Sequence, residues 1–246
     1  MAIAPPKVDR PAFYALRPGG WRDLITVLHP PYTAWHLSYV AIGAAVAPKL
    51  YGVRLAAALG AFALAVGVSA HALDELNGRP LNTRLSDGAL IALAVIGLAG
   101  AVAIGALGLV IVSPLLAPLI AAGALLVPAY NLEWAGGRFH NDLWFALAWG
   151  GFPAFTGYFV NALTVRPAGV LVTAACCLVT VAQRRLSTPA RELRRHTAEV
   201  TGEQRLSDGR TTTLTKERLS APLEQALQAL WIALVLLAAG LVVVRL

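Results

Sequence analysis

The sequence predicts an all-α polytopic membrane protein, a helical bundle with about seven transmembrane helices. Of its 246 residues, 57% are hydrophobic and 13% are charged, and the mean hydropathy is +0.65. Several runs of about twenty residues carry no charge, which is the length a helix needs to cross the hydrocarbon core. The net charge of +7 comes from basic residues in the loops between these runs. This placement favours contact with the membrane surface and argues against nucleic acid as a partner.

The apolar runs predict the spans in chain order. The first begins after Pro30 and Pro31, which suit the first turn of a helix. The run from 88 to 128 has about forty residues without a charge, so it holds two helices, and Gly105 to Gly108 offers the turn between them. The predicted spans are 33–50, 53–75, two within 88–128, 143–162, 167–183 and 221–244.

The charge pattern predicts the domain organisation and the orientation in the cell membrane. Residues 1–29 form an N-terminal arm, and 30–246 form one transmembrane domain with a polar loop at 184–220, partly helical around 189–200. If the arm is cytoplasmic, sixteen of the twenty Lys and Arg residues and all thirteen acidic residues lie on the inner side. Because basic residues concentrate in cytoplasmic loops, the N-terminus and the 184–220 loop are expected there.

A polar cluster at the inner end of the second span is the first candidate site. His71, Asp74, Glu75 and Asn77 follow an apolar helix within about two turns, and His71 and Asp74 share one face because they are three residues apart. Ionisable groups at membrane depth usually face a cavity, a metal or a substrate. The alternative is that these residues lie in an aqueous loop.

Other polar residues are expected beside this cluster. The inner ends of the second and fourth helices should meet, bringing Asp74 near Asn131, because isolated polar groups in lipid are costly. Carboxylates and arginines above an apolar cavity suit a lipid diphosphate held through Mg²⁺. The predicted catalytic residues are His71, Asp74 and Glu75, with Asp74 and Glu75 as metal ligands. The predicted substrate-binding residues are Asn77, Arg79, Arg84, Asn131, Arg138, Arg184 and Arg185.

Two segments carry a resemblance to a known family. Ala70-His71-x-x-Asp74-x-x-x-Gly78 is followed by Arg79-Pro-Leu-Asn-Thr-Arg-Leu-Ser86. This resembles the Asn-Asp-x-x-Asp-x-x-x-Asp and Arg-Pro-Leu-Pro-Ser-Gly-Arg-Ile-Ser signature of UbiA-type intramembrane prenyltransferases. Tyr130-Asn131, Ala148-Trp-Gly-Gly-Phe-Pro153 and Gly157-Tyr-Phe are similar to the family's pattern around its fifth helix. The likeness covers roughly residues 30–185.

The resemblance implies a helical bundle around a lipid-accessible cavity. It also implies Mg²⁺-dependent transfer of a prenyl group from an isoprenoid diphosphate to an acceptor. The chain departs from the family pattern, because Asp74 is the only one of the first motif's three aspartates, and Glu192 is the only acid in 183–196, where a second Asp-rich motif is expected. The alternative is a non-catalytic relative that binds a lipid or quinone or acts in a membrane complex. A small transporter has less support, because no predicted span carries a charge near its middle.

Overall fold

The computed structural model describes residues 10–246, and it confirms a mostly helical, membrane-embedded architecture. The protein is 74% helical, and within the described residues six helices are long and apolar enough to cross a membrane. The predicted N-terminal arm is described only from Arg10 onward, so Lys7 lies outside the described residues.

Within residues 10–246, eight helices and one hairpin follow one another, and a short helical turn, Trp134–Gly137, lies between the fifth and sixth helices. The helices are α1 (Trp21–Val27), α2 (Pro30–Val46), α3 (Gly52–Leu76), α4 (Asp87–Ile111), α5 (Pro114–Asn131), α6 (Asp142–Ala162), α7 (Pro167–Arg195) and α8 (Lys216–Val243). The antiparallel hairpin of β1 (Glu203–Arg205) and β2 (Thr211–Thr213) lies between α7 and α8. With 17 residues, α2 is the shortest of the long apolar helices.

The break between α4 and α5 differs from the prediction. The helix continues through Gly105 and Gly108 to Ile111, because a glycine lowers helix stability by only about 1 kcal/mol. The next helix begins at Ser113 and Pro114. The Ser113 side chain accepts a hydrogen bond from the Leu115 backbone N–H at 3.2 Å, and proline suits the first turn. A capped start therefore places the break, and the predicted turn at Gly105 to Gly108 is wrong.

The polar segment after the sixth predicted span is more ordered than expected. α7 runs for 29 residues, about 43 Å at 1.5 Å per residue, and so exceeds the thickness of the hydrocarbon core. Residues 184–195 are therefore the last turns of a helix, whereas the sequence predicted a loop that is only partly helical around 189–200. Only the part from His196 to Thr215 is a connection, and it contains the hairpin.

The core is built around α2, which packs closely on α6. A Cβ atom on Gly43 would lie 1.9 Å from the Ala154 backbone oxygen, and one on Gly157 would lie 2.0 Å from the Val40 oxygen. Only glycine permits this approach of the two backbones. Trp35 and Tyr39 of α2 are fully buried beside this contact, so the α2–α6 pair forms a rigid centre.

Two spans contain a π-helical stretch. In α3 it covers Ala63–Ala70, and in α6 it covers Leu147–Gly151. The buried His36 side chain donates from Nδ1 to the Trp149 backbone oxygen at 2.7 Å, so a side chain from α2 engages the wider turn of α6. π-Helical turns frequently occur at functional sites, and both stretches border the cavities described next.

Candidate functional site

A polar cavity opens at the end of the bundle where α3 and α7 bring charged residues and α5 brings Tyr130 and Asn131. It encloses about 1100 Å³, including its mouth. The segment from Pro11 to Tyr14 covers part of it, and the first turns of α2 form a wall. The polar side chains that line it are Tyr14, His29, Tyr32, His36, His71, Asp74, Tyr130, Asn131, His140, Gln183, Arg184, Ser187, Arg191, Arg194, Arg195 and Glu224.

Four of the ten predicted site residues line this cavity: His71, Asp74, Asn131 and Arg184. His71 and Asp74 share one face of α3, as their spacing predicts. The ends of α3 and α5 also meet as expected, since the Asn77 side-chain amide donates to the Asn131 backbone oxygen at 3.3 Å. The six predicted residues that do not line the cavity are Glu75, Asn77, Arg79, Arg84, Arg138 and Arg185.

Glu75 has a structural environment that argues against the predicted catalytic and metal-binding roles. Its side chain is fully buried and points into the loop that follows α3. One carboxylate oxygen accepts from the Leu81 backbone N–H at 2.9 Å, and the other accepts from the Thr83 backbone N–H at 2.8 Å and the Thr83 hydroxyl at 2.9 Å. The carboxylate therefore holds the loop closed and is turned away from the cavity.

The two arginines of the same loop also lie outside the cavity lining. Arg79 forms an ion pair with Asp87 and donates to the Leu85 backbone oxygen at 2.5 Å. Arg84 is exposed, and its backbone N–H donates to the buried Asp23 carboxylate at 3.1 Å. The loop stabilises the end of the bundle, which is a different role from the predicted phosphate binding. Arg138 and Arg185 are likewise exposed and lie outside the cavity lining.

The basic wall of the cavity comes from the C-terminal half of α7. Arg184, Arg191, Arg194 and Arg195 line it together with Ser187. Residues separated by three, four or seven positions share a helix face, so this spacing could have identified the wall. Of these four arginines, Arg184 alone is among the predicted substrate-binding residues, because residues 184–220 were expected to form a loop that is only partly helical.

Two of the four arginines are held by carboxylates. The Arg184 Nε donates to Asp142 at 2.5 Å, its Nη1 donates to the Tyr130 hydroxyl at 3.2 Å, and its guanidinium lies 4.7 Å from the Phe145 ring centre. Arg194 forms a two-pronged ion pair with Glu224 of α8. Bidentate pairs of this kind fix geometry as well as charge, so Arg194 ties α7 to α8.

The other side of the cavity is a wall of histidine and tyrosine side chains. The Tyr14 hydroxyl lies 2.9 Å from His29 Nδ1, and the His29 and His71 rings stack with centres 4.1 Å apart. Burial raises the pKa of the Tyr14 hydroxyl well above its usual range, and burial lowers the pKa of His29 well below its usual range. His29 is therefore held neutral beside a protonated Tyr14 hydroxyl, and one of these two groups donates to the other. The buried Nε2 of His29 has no hydrogen-bond partner among the described residues.

A second, apolar cavity of about 990 Å³, including its mouth, lies between α3, α4, α5 and α6. Alanine, leucine, valine and isoleucine dominate its lining, with Arg54 at the end of α3 opposite the polar cavity and Thr156 on α6. Val66 and Trp149 line both cavities. These two residues belong to the two π-helical stretches, so the wider turns form the boundary between the polar and apolar spaces.

The acids of the polar cavity do not fit the Mg²⁺ site that the resemblance implies. Two Mg²⁺ ions that bridge a diphosphate normally need several carboxylates. The Glu75 carboxylate accepts hydrogen bonds from its own loop, and the Glu224 carboxylate is paired with Arg194. Asp74 is the remaining carboxylate, and the residues from Arg10 to Leu246 contain no group of three or more histidine, cysteine or acidic side chains placed to hold a metal ion.

Comparison with known proteins returns no relative. No family model matches the chain, and no curated protein and no solved structure is significantly similar to it. The site therefore has to be interpreted from its own geometry.

Proposed function

We propose that the protein is a divergent UbiA-like membrane protein that binds an isoprenoid or related lipid with an anionic head group. The observation that supports this best is the adjacency of the two cavities, which meet at Val66 and Trp149. The polar cavity offers arginines to a phosphate-bearing head, and the apolar cavity offers a dry space to the chain. An amphipathic lipid is the ligand class that matches both.

Each half of such a ligand has an energetic reason to bind. Burial of each chain methylene contributes about 0.8 kcal/mol, so a prenyl chain in the apolar cavity supplies much of the affinity. Charge-assisted hydrogen bonds from guanidinium groups to phosphate are about twice as strong as neutral ones. The polar cavity would therefore select the head, and the apolar cavity would select the chain.

Prenyl transfer is the second candidate function, and Asp74 is the observation that favours it. Its carboxylate lines the polar cavity, and no hydrogen bond to it is found within residues 10–246. In a transfer reaction this carboxylate would take the proton of the acceptor's attacking group. A non-catalytic lipid-binding or quinone-binding protein would use the same cavities without that step, so product formation from a prenyl diphosphate separates the two.

The binding proposal is tested with the purified full-length protein and farnesyl diphosphate. Saturable binding is expected, and farnesol or inorganic diphosphate alone should bind at least tenfold more weakly, because each supplies half of the contacts. Ala101→Phe should block the apolar cavity, which Ala101 lines. Ala103→Phe on the same helix is the matched control, because Ala103 is exposed and does not line that cavity. Absence of binding, or equal effects of the two variants, would contradict the proposal.

We also propose that α2 and the six longer helices make seven spans in the cell membrane, with the N-terminus in the cytoplasm. The α2 helix is buried in the bundle beside α6, and sixteen of twenty basic residues would then lie inside. A single cysteine at Ser207 in the hairpin, in a variant whose two native cysteines are replaced, should be labelled only after the cells are opened. Labelling in intact cells would show that the hairpin is outside and would contradict the proposed orientation.

A further inference from the structure

The polar cavity holds an excess of positive charge that its own carboxylates do not offset. Four arginines and two acids line it. Arg194 is paired with Glu224, and Arg184 is paired with Asp142 at the edge of the cavity. Arg191 and Arg195 have no ion pair with a carboxylate among the described residues. One further carboxylate, Asp74 of α3, lines the same cavity as these two guanidinium groups.

The two arginines occupy complementary positions. Arg191 is exposed and lines the cavity, so it lies at the mouth. Arg195 is half-buried, and its Nε donates to the Pro11 backbone oxygen at 3.1 Å. That bond orients the guanidinium beneath the covering segment and leaves its Nη groups for another acceptor. An anion that enters the cavity would therefore pass Arg191 and meet Arg195.

The opposite wall supplies a further polar atom without a partner. His29 is 8% exposed and lines the cavity, and its Nε2 is buried without a hydrogen-bond partner in the part of the chain that the structure describes. A buried polar atom without a partner is costly, and when Nε2 carries the ring proton, an anionic oxygen is the acceptor that an otherwise basic cavity would admit. The wall thus adds an imidazole nitrogen to the two guanidinium groups.

From this arrangement we infer that the anionic head group is bound directly by Arg191, Arg195 and the His29 Nε2–H, without Mg²⁺. The inference rests on the proposed function and specifies its recognition chemistry. In a metal-dependent site, Mg²⁺ offsets the phosphate charge and carboxylates hold the metal. Here Glu224 is paired with Arg194 and Asp74 is the one remaining carboxylate of the lining, so the arginines of the cavity supply the positive charge. Guanidinium groups are well suited to this role, because they bind phosphate oxygens through pairs of N–H groups and always remain charged.

Metal-free recognition predicts that removal of the Asp74 charge affects ligand binding in the opposite direction to removal of a metal ligand. In an arginine-only site its negative charge repels the phosphate, so its removal should improve binding. Asp74→Asn keeps the shape of the side chain and removes the charge. The sign of its effect therefore distinguishes the two modes of recognition.

The test measures farnesyl diphosphate binding to the purified full-length protein with Mg²⁺ and with EDTA. The dissociation constants are expected to agree within about twofold. Arg191→Gln and Arg195→Gln should each weaken binding about tenfold, the usual size of one lost charge-assisted contact. Asp74→Asn should bind equally well or more tightly. Arg185→Gln is the matched control on the same helix, since the exposed Arg185 does not line the cavity, and its binding should be unchanged.

Separate results would overturn this inference and the proposed function. Binding that needs Mg²⁺, or that Asp74→Asn abolishes, would overturn metal-free recognition and leave the lipid-binding proposal intact. Equal losses in Arg185→Gln and Arg191→Gln would show a general charge effect and would also overturn it. Farnesol with the same affinity as farnesyl diphosphate would mean that the head is not recognised. If neither farnesyl diphosphate, farnesol nor inorganic diphosphate binds, the proposed lipid-binding function itself is wrong.

Discussion

Two charged regions at the same end of the bundle use their charges differently. The loop from Asn77 to Ser86, between α3 and α4, satisfies its own polar groups, with Glu75 bonded to Leu81 and Thr83 and with Arg79 paired to Asp87. The C-terminal half of α7 turns its arginines into the polar cavity, where two of them face no carboxylate at ion-pair distance within the described residues. A charge at the membrane boundary therefore indicates a binding site only where its neighbours leave it unsatisfied.

The neighbours Asp74 and Glu75 show the contrast most directly. Successive helical residues point about 100° apart, so one carboxylate lines the cavity while the next is buried in the loop. Asp74 belongs functionally with the arginines of α7, and Glu75 belongs with the loop. The following predictions test this division, from the largest expected effect to the smallest.

Removal of the Glu75 carboxylate should cause the largest loss of stability. Glu75→Ala leaves the buried N–H groups of Leu81 and Thr83 without their acceptor, and we expect the free energy of unfolding to fall by about 3 kcal/mol or more. Glu75→Gln retains one acceptor oxygen and should lose less. SDS titration of the purified protein measures the change. If Asp74→Asn destabilised the protein as much as Glu75→Ala, the division between the two acids would be wrong.

The α7–α8 ion pair should have the next largest effect. Arg194→Gln leaves Glu224, whose side chain is 11% exposed, and should cost about 2 kcal/mol, less than in a fully buried pair because Arg194 is partly exposed. The double variant Arg194→Gln/Glu224→Gln should be at least as stable as Arg194→Gln alone, because it no longer contains the unpaired carboxylate of Glu224. Strictly additive losses would show that the pair is not coupled and would weaken the distinction between Arg194 and Arg191.

Acid should destabilise the protein through His29, which lines the polar cavity. Burial lowers the pKa of His29 in the folded state, and positive charge nearby adds to this shift. The stability that depends on its neutral form is present above the unfolded pKa of about 6.5 and is lost as the pH falls below that value. The groups that act on it electrostatically or by contact are Tyr14, Tyr32, His36, His71, Arg191 and Arg195.

His29→Asn is the variant that isolates this effect. His29 has a left-handed backbone, with φ of 44°, and asparagine tolerates that conformation better than most residues. Stability measured at pH 7 and pH 5 should fall less in the variant than in the wild-type protein, by on the order of 1 kcal/mol. Identical pH profiles would show that His29 does not stay neutral in the fold.

The Arg79–Asp87 pair should have the smallest effect. Its side chains are 32% and 71% exposed, and exposed ion pairs contribute less than about 1 kcal/mol. Arg79→Gln should therefore change the free energy of unfolding only slightly, and added salt should reduce the difference further. Its farnesyl diphosphate binding should be unchanged, and a tenfold loss would place this loop in the binding site after all.

The sequence by itself determined the membrane class, the approximate spans and the shared face of His71 and Asp74. These features depend on hydrophobicity along a run and on the helical repeat, and both are local properties. The same local reasoning placed a turn at Gly105 to Gly108, where α4 continues, because a helix in a bundle tolerates glycine when a capped start follows elsewhere.

Only the tertiary structure decided which polar groups form the site. Arg195 meets the Pro11 oxygen across 184 positions of the chain, and His36 meets the Trp149 oxygen across 113. The boundary at Val66 and Trp149 likewise joins two distant π-helical stretches. Glu75 carries a carboxylate like its neighbour Asp74, yet its loop supplies the donors that hold this carboxylate outside the cavity. Such pairings depend on how helices pack and on which hydrogen bonds the packed neighbours have already satisfied, and neither quantity is encoded in the local pattern of residues.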